Sequence, residues 1–137
     1  MENHRSYCPI NLTLEVFGDK WSLLIISHMM IEGKRHFREL LNCEEKIASN
    51  ILTDRLNMLE REGIISKHPD PEHKQKFIYS LTAAGIDLVP IIIEIGAWSL
   101  KHRDVDPVKG KHAEMLVKGG KELQKEMKKN LVKEHLK

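Results

Sequence analysis

Apolar side chains recur at helical spacing near the start of the chain. The segment NLTLEVFGDKWSLLIISHMMI, residues 11–31, places them three or four positions apart, which predicts helix. Gly18 interrupts this pattern, so we expect a short helix and then a second one from about Asp19 to Met30. Asp19 suits the N-cap of the second helix because its carboxylate can accept hydrogen bonds from first-turn amides.

A second pair of helices follows, joined by a tight turn. The segment HFRELLN predicts a short helix, and CEEK predicts a turn after it. In the next stretch, EKIASNILTDRLNMLEREGI, Leu52, Leu56 and Leu59 lie at i, i+4 and i+7 and form one apolar stripe. Gly63 is placed to end this helix. Two helices joined in this way, with the second one longer, are the helix-turn-helix pattern.

The period of the pattern then changes from helical to alternating. Residues 64–68 and 76–81 read as two strands. Between them the prolines of PDPEHKQ, Pro69 and Pro71, predict a loop. A hairpin directly after a helix-turn-helix is the winged-helix arrangement, so the expected fold is mainly α with a small β-hairpin.

The segment after the hairpin is apolar on two sides. Thr82 can cap a helix, and Pro90 either kinks that helix or starts another. From Leu88 to Leu100 two apolar stripes must both be covered. One can face its own domain, and the other most simply faces the same helix of a second subunit. A fully buried monomer helix and a strand are the alternatives. The predicted interface residues on this dimerisation helix, 88–103, are Leu88, Ile91, Ile92, Ile95 and Trp98.

These elements predict a winged helix-turn-helix domain with terminal dimerisation helices over residues 7–103. Residues 104–110 are expected to be a linker. Residues 111–137 are lysine-rich and predict a helical extension broken near Gly119. We expect this extension to pack as a solvated amphipathic helix rather than to contact DNA.

Composition narrows the class of protein. Hydrophobic residues make up 41% and charged residues 31% of the 137 residues, as in a soluble globular domain. The apolar stretch from Val89 to Leu100 is short and contains Glu94 and Pro90, so we expect no membrane span. The N-terminus shows no signal-peptide pattern, which favours a cytoplasmic location.

The net charge of +2 hides an asymmetry. Residues 1–106 hold 13 Lys/Arg and 16 Asp/Glu, a net of −3, whereas residues 107–137 hold 9 lysines and 4 glutamates, a net of +5. Global charge is therefore weak support for a nucleic-acid partner, and the argument depends on where the charges lie.

Catalytic and metal-binding patterns are not evident. The eight histidines are scattered and form no HxxxH pair, and the two cysteines, Cys8 and Cys43, form no CxxC pair. No glycine-rich phosphate loop is present. We therefore expect no enzyme, no metal and no cofactor, and we expect both thiols to be reduced.

The polar face of the leucine-striped helix, about residues 48–62, is the strongest candidate site. If the leucines face inward, short hydrogen-bonding side chains cluster on the opposite side, as base edges in a major groove require. Ordinary capping and solvation explain such a cluster equally well. The candidates for base contacts are Ser49, Asn50, Thr53 and Asn57, with Arg55 for either a base or a phosphate.

Cations flank this helix in three separate segments, and this favours DNA. A helix N-terminus and nearby cations can hold phosphate groups. The candidates for phosphate contacts are Arg35, His36, Arg38, Lys46, Lys67, His73, Lys74 and Lys76.

Five motifs in register resemble the HxlR-type transcriptional regulators, relatives of the MarR group. The motifs are CPI at Cys8–Ile10, GDKW at Gly18–Trp21, HFREL at His36–Leu40, ILTDRLNMLEREGII at Ile51–Ile65 and YSLTAAG at Tyr79–Gly85. The resemblance covers roughly residues 7–101. It implies a homodimeric winged helix-turn-helix regulator that binds pseudo-palindromic operator DNA. By motif position, Ala48–Asn57 is the front of the recognition helix and residues 64–81 are the wing.

Several positions depart from the family pattern. His36 stands where the family usually has Arg, so a phosphate contact there becomes weaker or pH-dependent. Ala48 stands where many members have Ser, so Ser49 is expected to take the capping role. The wing prolines and Ile78 also differ from the usual pattern.

Cys8 matches an N-terminal cysteine that some members of this family use to sense oxidants or electrophiles. A helix N-terminus or Arg5 could lower the pKa of this thiol. Three functions follow from these observations. The first is a DNA-binding regulator with double-stranded DNA as its partner and a small-molecule or oxidant effector. The others are a thiol-based redox regulator using Cys8, and a winged-helix protein–protein module without DNA.

Overall fold

A computed structural model describes residues 3–136 of the chain, and these residues form eight helices and one two-stranded hairpin. The helices are α1 (Pro9–Phe17), α2 (Ser22–Met30), α3 (Phe37–Leu41), α4 (Ser49–Arg61), α5 (Ala83–Ile86), α6 (Val89–His102), α7 (Pro107–Lys118) and α8 (Gly120–His135). The strands are β1 (Ile65–Asp70) and β2 (His73–Leu81). The chain divides between Ser80 and Leu81 into an N-terminal and a C-terminal unit. The predicted boundary, after residue 103, lies inside the second unit.

The leucine stripe of α4 lies in the core of the N-terminal unit. Leu52, Leu56 and Leu59 are 0%, 2% and 0% exposed, as their spacing predicts. α4 packs on α3 and β1, and α3 packs on α2, whose Ile26 and Met29 are fully buried. The helix-turn-helix and its hairpin confirm the predicted fold class.

The end of α4 is set by Gly63. Its φ of 77° lies in the left-handed region that favours glycine. The Ile64 amide donates to the Leu59 carbonyl at 2.9 Å, and the Gly63 amide donates to the Glu60 carbonyl at 3.1 Å. These two hydrogen bonds form a Schellman motif, which turns the chain directly into β1.

Asp19 stabilises the start of α2 as predicted, although the helix begins three residues later than expected. Its carboxylate accepts hydrogen bonds from the amides of Trp21 and Ser22 at 2.9 and 3.0 Å and from the Ser22 hydroxyl at 2.6 Å. These contacts satisfy first-turn donors that the helix leaves without partners.

The hairpin is longer than its prolines suggested. Pro69 lies within β1, and the turn is limited to Pro71 and Glu72. In a sheet of two strands each strand is also an edge, so a residue without an N–H group is tolerated there. The Asp70 carboxylate accepts a hydrogen bond from the Glu72 amide at 2.9 Å and closes the turn.

The C-terminal unit is entirely helical after the end of β2. The Thr82 hydroxyl accepts a hydrogen bond from the Gly85 amide at 3.2 Å and caps α5. Pro90 lies in the first turn of α6, so it starts a new helix rather than kinking one. α6 packs on α7, and α8 packs on α5 and α6.

Two predictions for this unit need correction. Leu88 is only 6% exposed within the protomer, so its side chain is not available to a second subunit. Residues 104–110 are not a linker, because α7 begins at Pro107 and the Asp106 carboxylate caps it by accepting from the Lys109 amide at 2.9 Å. The predicted break in the extension is correct, since α7 and α8 meet at Gly119.

Within residues 3–136, the helical stretch Ala83–His102 meets the length and composition of a membrane span. A helix that covers the core of a soluble protein meets the same criteria. Here the stretch is divided between α5 and α6.

Candidate nucleic-acid interface

The polar face of α4 is open to solvent. Ser49, Asn50, Thr53 and Asn57 are all exposed, while the leucines of the same helix are buried. Ala48 is the N-cap and makes no side-chain hydrogen bond, and Ser49 lies inside the first turn, so the predicted capping role of Ser49 is wrong. The helix therefore presents short donors and acceptors over its first two turns.

A groove of about 380 Å³ runs between this face, α3 and the hairpin. Thr53 and Asn57 line one side of it. Arg38, Lys67 and Lys76 bring cations to the other sides. The groove thus combines hydrogen-bonding groups on a helix with positive charge on the elements next to it.

The hairpin contributes an aromatic ring as well as cations. Phe77 is 48% exposed, and the Lys67 ammonium lies 4.2 Å from its ring centroid. This cation–π contact holds the Lys67 head group beside the groove. His73 and Lys74 are exposed at the start of β2, next to the turn. Lys46, another predicted cation, is exposed just before α4, with a positive φ of 57°.

Arg35, a predicted phosphate ligand, makes hydrogen bonds within the protein. Its Nε donates to the Tyr79 carbonyl at 2.8 Å, and its Nη2 donates to the Ser80 hydroxyl at 2.6 Å. The Tyr79 amide donates in return to the Arg35 carbonyl at 2.8 Å. Because these bonds occupy its guanidinium, Arg35 joins the helix-turn-helix to β2 instead of facing solvent.

His36 is likewise held by protein groups. Its Nε2 lies 2.8 Å from an Asp70 carboxylate oxygen, and its Nδ1 lies 3.0 Å from Glu39. The hydrogen bond to Asp70, followed by that to Glu39, raises the pKa of His36 above its ordinary value despite partial burial. The structure thus gives His36 partners within the protein, and its contact with a phosphate remains a prediction.

The two carboxylates that hold His36 are stabilised in their charged forms. The Glu72 amide, and then the hydrogen bond from His36, lower the pKa of Asp70. The Arg35 amide donates to Glu39 at 3.0 Å and is the largest cause of the lowered pKa of that carboxyl. His36 thereby links the start of α3 to the turn of the hairpin.

Arg55 points away from the polar face of α4. Its Nε lies 3.1 Å from Asp19, and its Nη1 donates to Asp54 at 2.7 Å. Burial raises the pKa of Asp19, but hydrogen bonds from Ser22 and Trp21 and the charge of Arg55 outweigh it, so the pKa is lowered. The structure thus pairs Arg55 with carboxylates of the protein, and its contact with a base or a phosphate remains a prediction.

Phe77 and Gln75 belong to the groove and were not predicted as site residues. Alternation along β2 places Gln75, Phe77 and Tyr79 on one side of the strand. Of these only Tyr79 is buried, and burial is the main cause of its raised pKa. The signal in the sequence was an aromatic residue in a lysine-rich strand, a pairing typical of cation–π contacts.

Cys8 lies at the N-terminus of α1 and is exposed. Backbone hydrogen bonds from Asn11 and then Ile10 lower the pKa of its thiol. The helix N-terminus predicted to act on Cys8 is present in the structure.

The comparisons identify the family of this protein. The family model for HxlR-like helix-turn-helix proteins matches residues 16–107, and the chain belongs to this family. YdeP of Bacillus subtilis, an uncharacterized HTH-type transcriptional regulator, is 36% identical over 97 residues, which cover 71% of this chain and 75% of YdeP.

Two solved structures show the same fold. The redox regulator HypR in its oxidized form is 37% identical, with a TM-score of 0.62 over 72% of this chain and 100% of HypR. A Porphyromonas gingivalis W83 chain assigned to the MarR family is 29% identical, with a TM-score of 0.62 over 74% of this chain and 99% of that one. The protein is thus a winged-helix transcriptional regulator of the helix-turn-helix class, related to the MarR group.

The contact between His36 and Asp70 predicts a specific pH dependence. His36 has a raised pKa in the folded state, so its charge stabilises the fold below the ordinary histidine value, about 6.5, and this contribution is lost as the pH rises through the folded pKa. Replacing Asp70 with Asn should lower the pKa of His36, as measured by NMR titration of its ring protons.

Asp54→Asn is the matched control, because it removes the same charge from a carboxylate that pairs with Arg55 rather than with His36. If His36 titrates alike in the parent and in D70N, the contact does not control its charge.

Proposed function

We propose that the protein is a homodimeric, sequence-specific DNA-binding regulator that places α4 in the major groove and the hairpin beside it. The observation that carries this proposal is the exposed polar row on α4, flanked by the cation-lined groove. Base edges are recognised by short donors and acceptors near the start of a helix, and phosphates are held by the cations around it.

Local charge supports DNA even though the body of the chain is acidic. Four of the predicted phosphate ligands line the groove that contains Thr53 and Asn57. They are His36, Arg38, Lys67 and Lys76. Phosphate contacts act over short distances in salt, since the Debye length is about 8 Å at physiological ionic strength. A patch of this kind therefore matters more than the net charge of −3 over residues 1–106.

The start of α4 offers a further phosphate site. Ala48 has no side chain that can accept from the first-turn amides, and no other side chain caps the helix. A phosphate oxygen is a suitable acceptor for these amides, and the helix dipole favours negative charge there. Lys46, two residues earlier and exposed, adds positive charge to the same end.

Substitutions in the two sets of residues should have different effects on DNA binding. Asn50→Ala and Thr53→Ala should relax sequence preference, with about 1–3 kcal/mol lost at the base pair concerned. Lys74→Ala and Lys76→Ala should weaken all DNA alike and reduce the salt slope by about one unit each. Fragments selected from genomic DNA by the parent protein supply the operator for these titrations.

Lys125→Ala removes an exposed lysine from α8 and is the charge-matched control. Parent-like operator preference in both N50A and T53A would rule out α4 as the reading helix. If the parent protein shows no salt-dependent affinity for DNA, a protein–protein module is the better explanation of its function.

Dimerisation is proposed on the outward side of α6. Ile91, Ile95 and Trp98 are 42%, 48% and 53% exposed and lie on one side of the helix. With Pro90 and Glu94 they line an open apolar depression of about 490 Å³. An exposed apolar face of this kind marks an interaction site, and the same face of a second copy is its simplest complement. Ile92 is half-buried and lies at the edge of this face.

Ile95→Asp should convert the dimer to a monomer, because a second subunit would bury the new carboxylate in an apolar interface without a partner. Sedimentation velocity measures the change, and circular dichroism checks the fold, since a side chain exposed by about half contributes little to the protomer core. The loss of two-fold symmetry should also weaken binding to operators whose half-sites are about one helical turn apart.

Val132→Asp is the control, because Val132 is 45% exposed on α8 and outside this depression. If I95D dimerises with the same concentration dependence as the parent, this face of α6 is not the dimer interface.

Redox sensing by Cys8 is a second candidate function. The thiol is exposed, lies at a helix N-terminus and has a lowered pKa, which favours the reactive thiolate. HypR, a structural neighbour, is a redox regulator. When two thiols form a disulfide, they lose two protons and two electrons. The oxidant diamide accepts these protons and electrons at its N=N bond and becomes a hydrazine.

Diamide should produce a covalent dimer of the parent protein and change its release from DNA, and Cys8→Ser should abolish both effects. Non-reducing electrophoresis and DNA titration are the measurements. Cys43→Ser keeps Cys8 and should still crosslink if two Cys8 residues pair. An equal response of C8S and the parent to oxidant excludes the sensing role.

A further inference from the structure

A buried histidine nitrogen in the N-terminal unit has no hydrogen-bond partner. His28, on α2, is 7% exposed, and its Nε2 is inaccessible and makes no hydrogen bond within the described chain. Buried polar atoms nearly always have hydrogen-bond partners, whereas Nε2 has only an ion-pair contact, with the Glu45 carboxylate at 3.4 Å, within the described residues. DNA binding and dimerisation, as proposed above, make no use of it.

The other ring nitrogen of His28 is held by a carboxylate. His28 Nδ1 and Glu32, one turn later on the chain, form a short contact. When the Nδ1–H group donates a hydrogen bond to Glu32, the neutral ring carries a lone pair on Nε2. A histidine oriented by a carboxylate in this way is the usual arrangement at protein metal sites.

Two further ligand groups lie near the His28 ring, in the turn between α3 and α4. Cys43 Sγ, a Glu45 carboxylate oxygen and a ring nitrogen of His28 all lie within 4.8 Å of one another. His28 Nε2 and Glu45 Oε1 are 3.4 Å apart. A tetrahedral zinc ion bound at about 2.0–2.3 Å needs ligand separations of roughly 3.3–3.8 Å, so small side-chain adjustments suffice.

The backbone of this turn is already fixed. The Lys46 amide donates to the Cys43 carbonyl at 3.1 Å, and this closes a four-residue turn that carries both Cys43 and Glu45. Lys46 itself has a positive φ of 57°. Glu45 is exposed and Cys43 partly exposed, so an ion can enter from solvent while His28 anchors it from the core side.

We propose that His28, Cys43 and Glu45 form a zinc-binding site in the turn of the helix-turn-helix. Imidazole, thiolate and carboxylate are the ligands of zinc, whereas magnesium and calcium require oxygen ligands throughout. Three protein ligands leave the fourth position to water. The Cys43 thiol gives up its proton to solvent as the sulfur–zinc bond forms.

The site has a structural consequence for DNA binding. An ion bound there joins α2 to the turn that ends at Lys46, immediately before the first turn of α4. Binding of zinc to the folded state alone would stabilise this junction. The site does not depend on the proposed DNA or dimer contacts, so it can be tested without either.

The test is titration of the reduced, metal-free full-length protein with Co²⁺, followed by displacement with Zn²⁺. We expect one ion per chain, a thiolate-to-cobalt charge-transfer band and the visible bands of four-coordinate cobalt. Cys43→Ser should lose the charge-transfer band. Glu32→Gln should keep it but bind about 10- to 100-fold more weakly, because the imidazole is no longer oriented.

Cys8→Ser is the matched control, since it removes the other thiol of the chain and should bind like the parent. The proposal is overturned if the parent binds no stoichiometric ion, if C43S keeps the band, or if C8S loses it. An E32Q affinity equal to that of the parent overturns the orienting role of Glu32.

A second measurement keeps the proposal testable if C43S does not fold. Zn²⁺ should slow alkylation of Cys43 in the parent by about tenfold or more, because a coordinated thiolate is shielded from the reagent. Cys8 in the same molecules is the internal reference, and mass spectrometry separates the two sites. Equal alkylation of Cys43 with and without zinc contradicts the proposal.

Discussion

Burial of the α4 leucine stripe is the constraint on which the N-terminal unit depends. Leu52, Leu56 and Leu59 are almost fully buried, so the rotation of α4 about its axis is determined by the core. That rotation leaves Asn50 and Thr53 exposed. Burying a leucine side chain contributes about 1.5–3 kcal/mol, so three such side chains hold the helix firmly in place. The core therefore fixes the orientation of the exposed polar face of α4.

The cations around α4 fall into two classes that the sequence alone does not separate. Arg35 and Arg55 satisfy acceptors within the protein, whereas Arg38 and Lys76 line the open groove. A guanidinium is suited to fixed multiple contacts because its donors are planar and rigid. The two cations that bind groups within the protein, Arg35 and Arg55, are thus both arginines, whose planar guanidinium suits fixed partners. The lysines and the arginine that line the groove are Lys67, Lys76 and Arg38.

Much of the fold is predictable because it rests on local patterns. Helical spacing located α4, Gly63 marked its end, and Thr82 marked the start of α5. The partners of Arg35 and His36 could not be predicted because they are distant in sequence. His36 meets Asp70 across 34 residues, and Arg35 meets Ser80 across 45. Pro69 lies within β1 because each strand of a two-stranded hairpin is an edge strand. Residue preferences alone do not reveal how many strands a sheet has.

The His28 cluster, likewise, forms no metal-binding motif in the sequence. Such motifs detect ligands that lie close together on one element, but His28 lies on α2 and the other two ligands lie in a turn after α3. The packing of α2 on α3 brings them together, and that packing is required for the helix-turn-helix in any case. A ligand set of this kind therefore needs only three side chains placed on an existing scaffold. The turn before α4 thus carries two ligands of the proposed zinc site on the same scaffold that positions the polar face of α4.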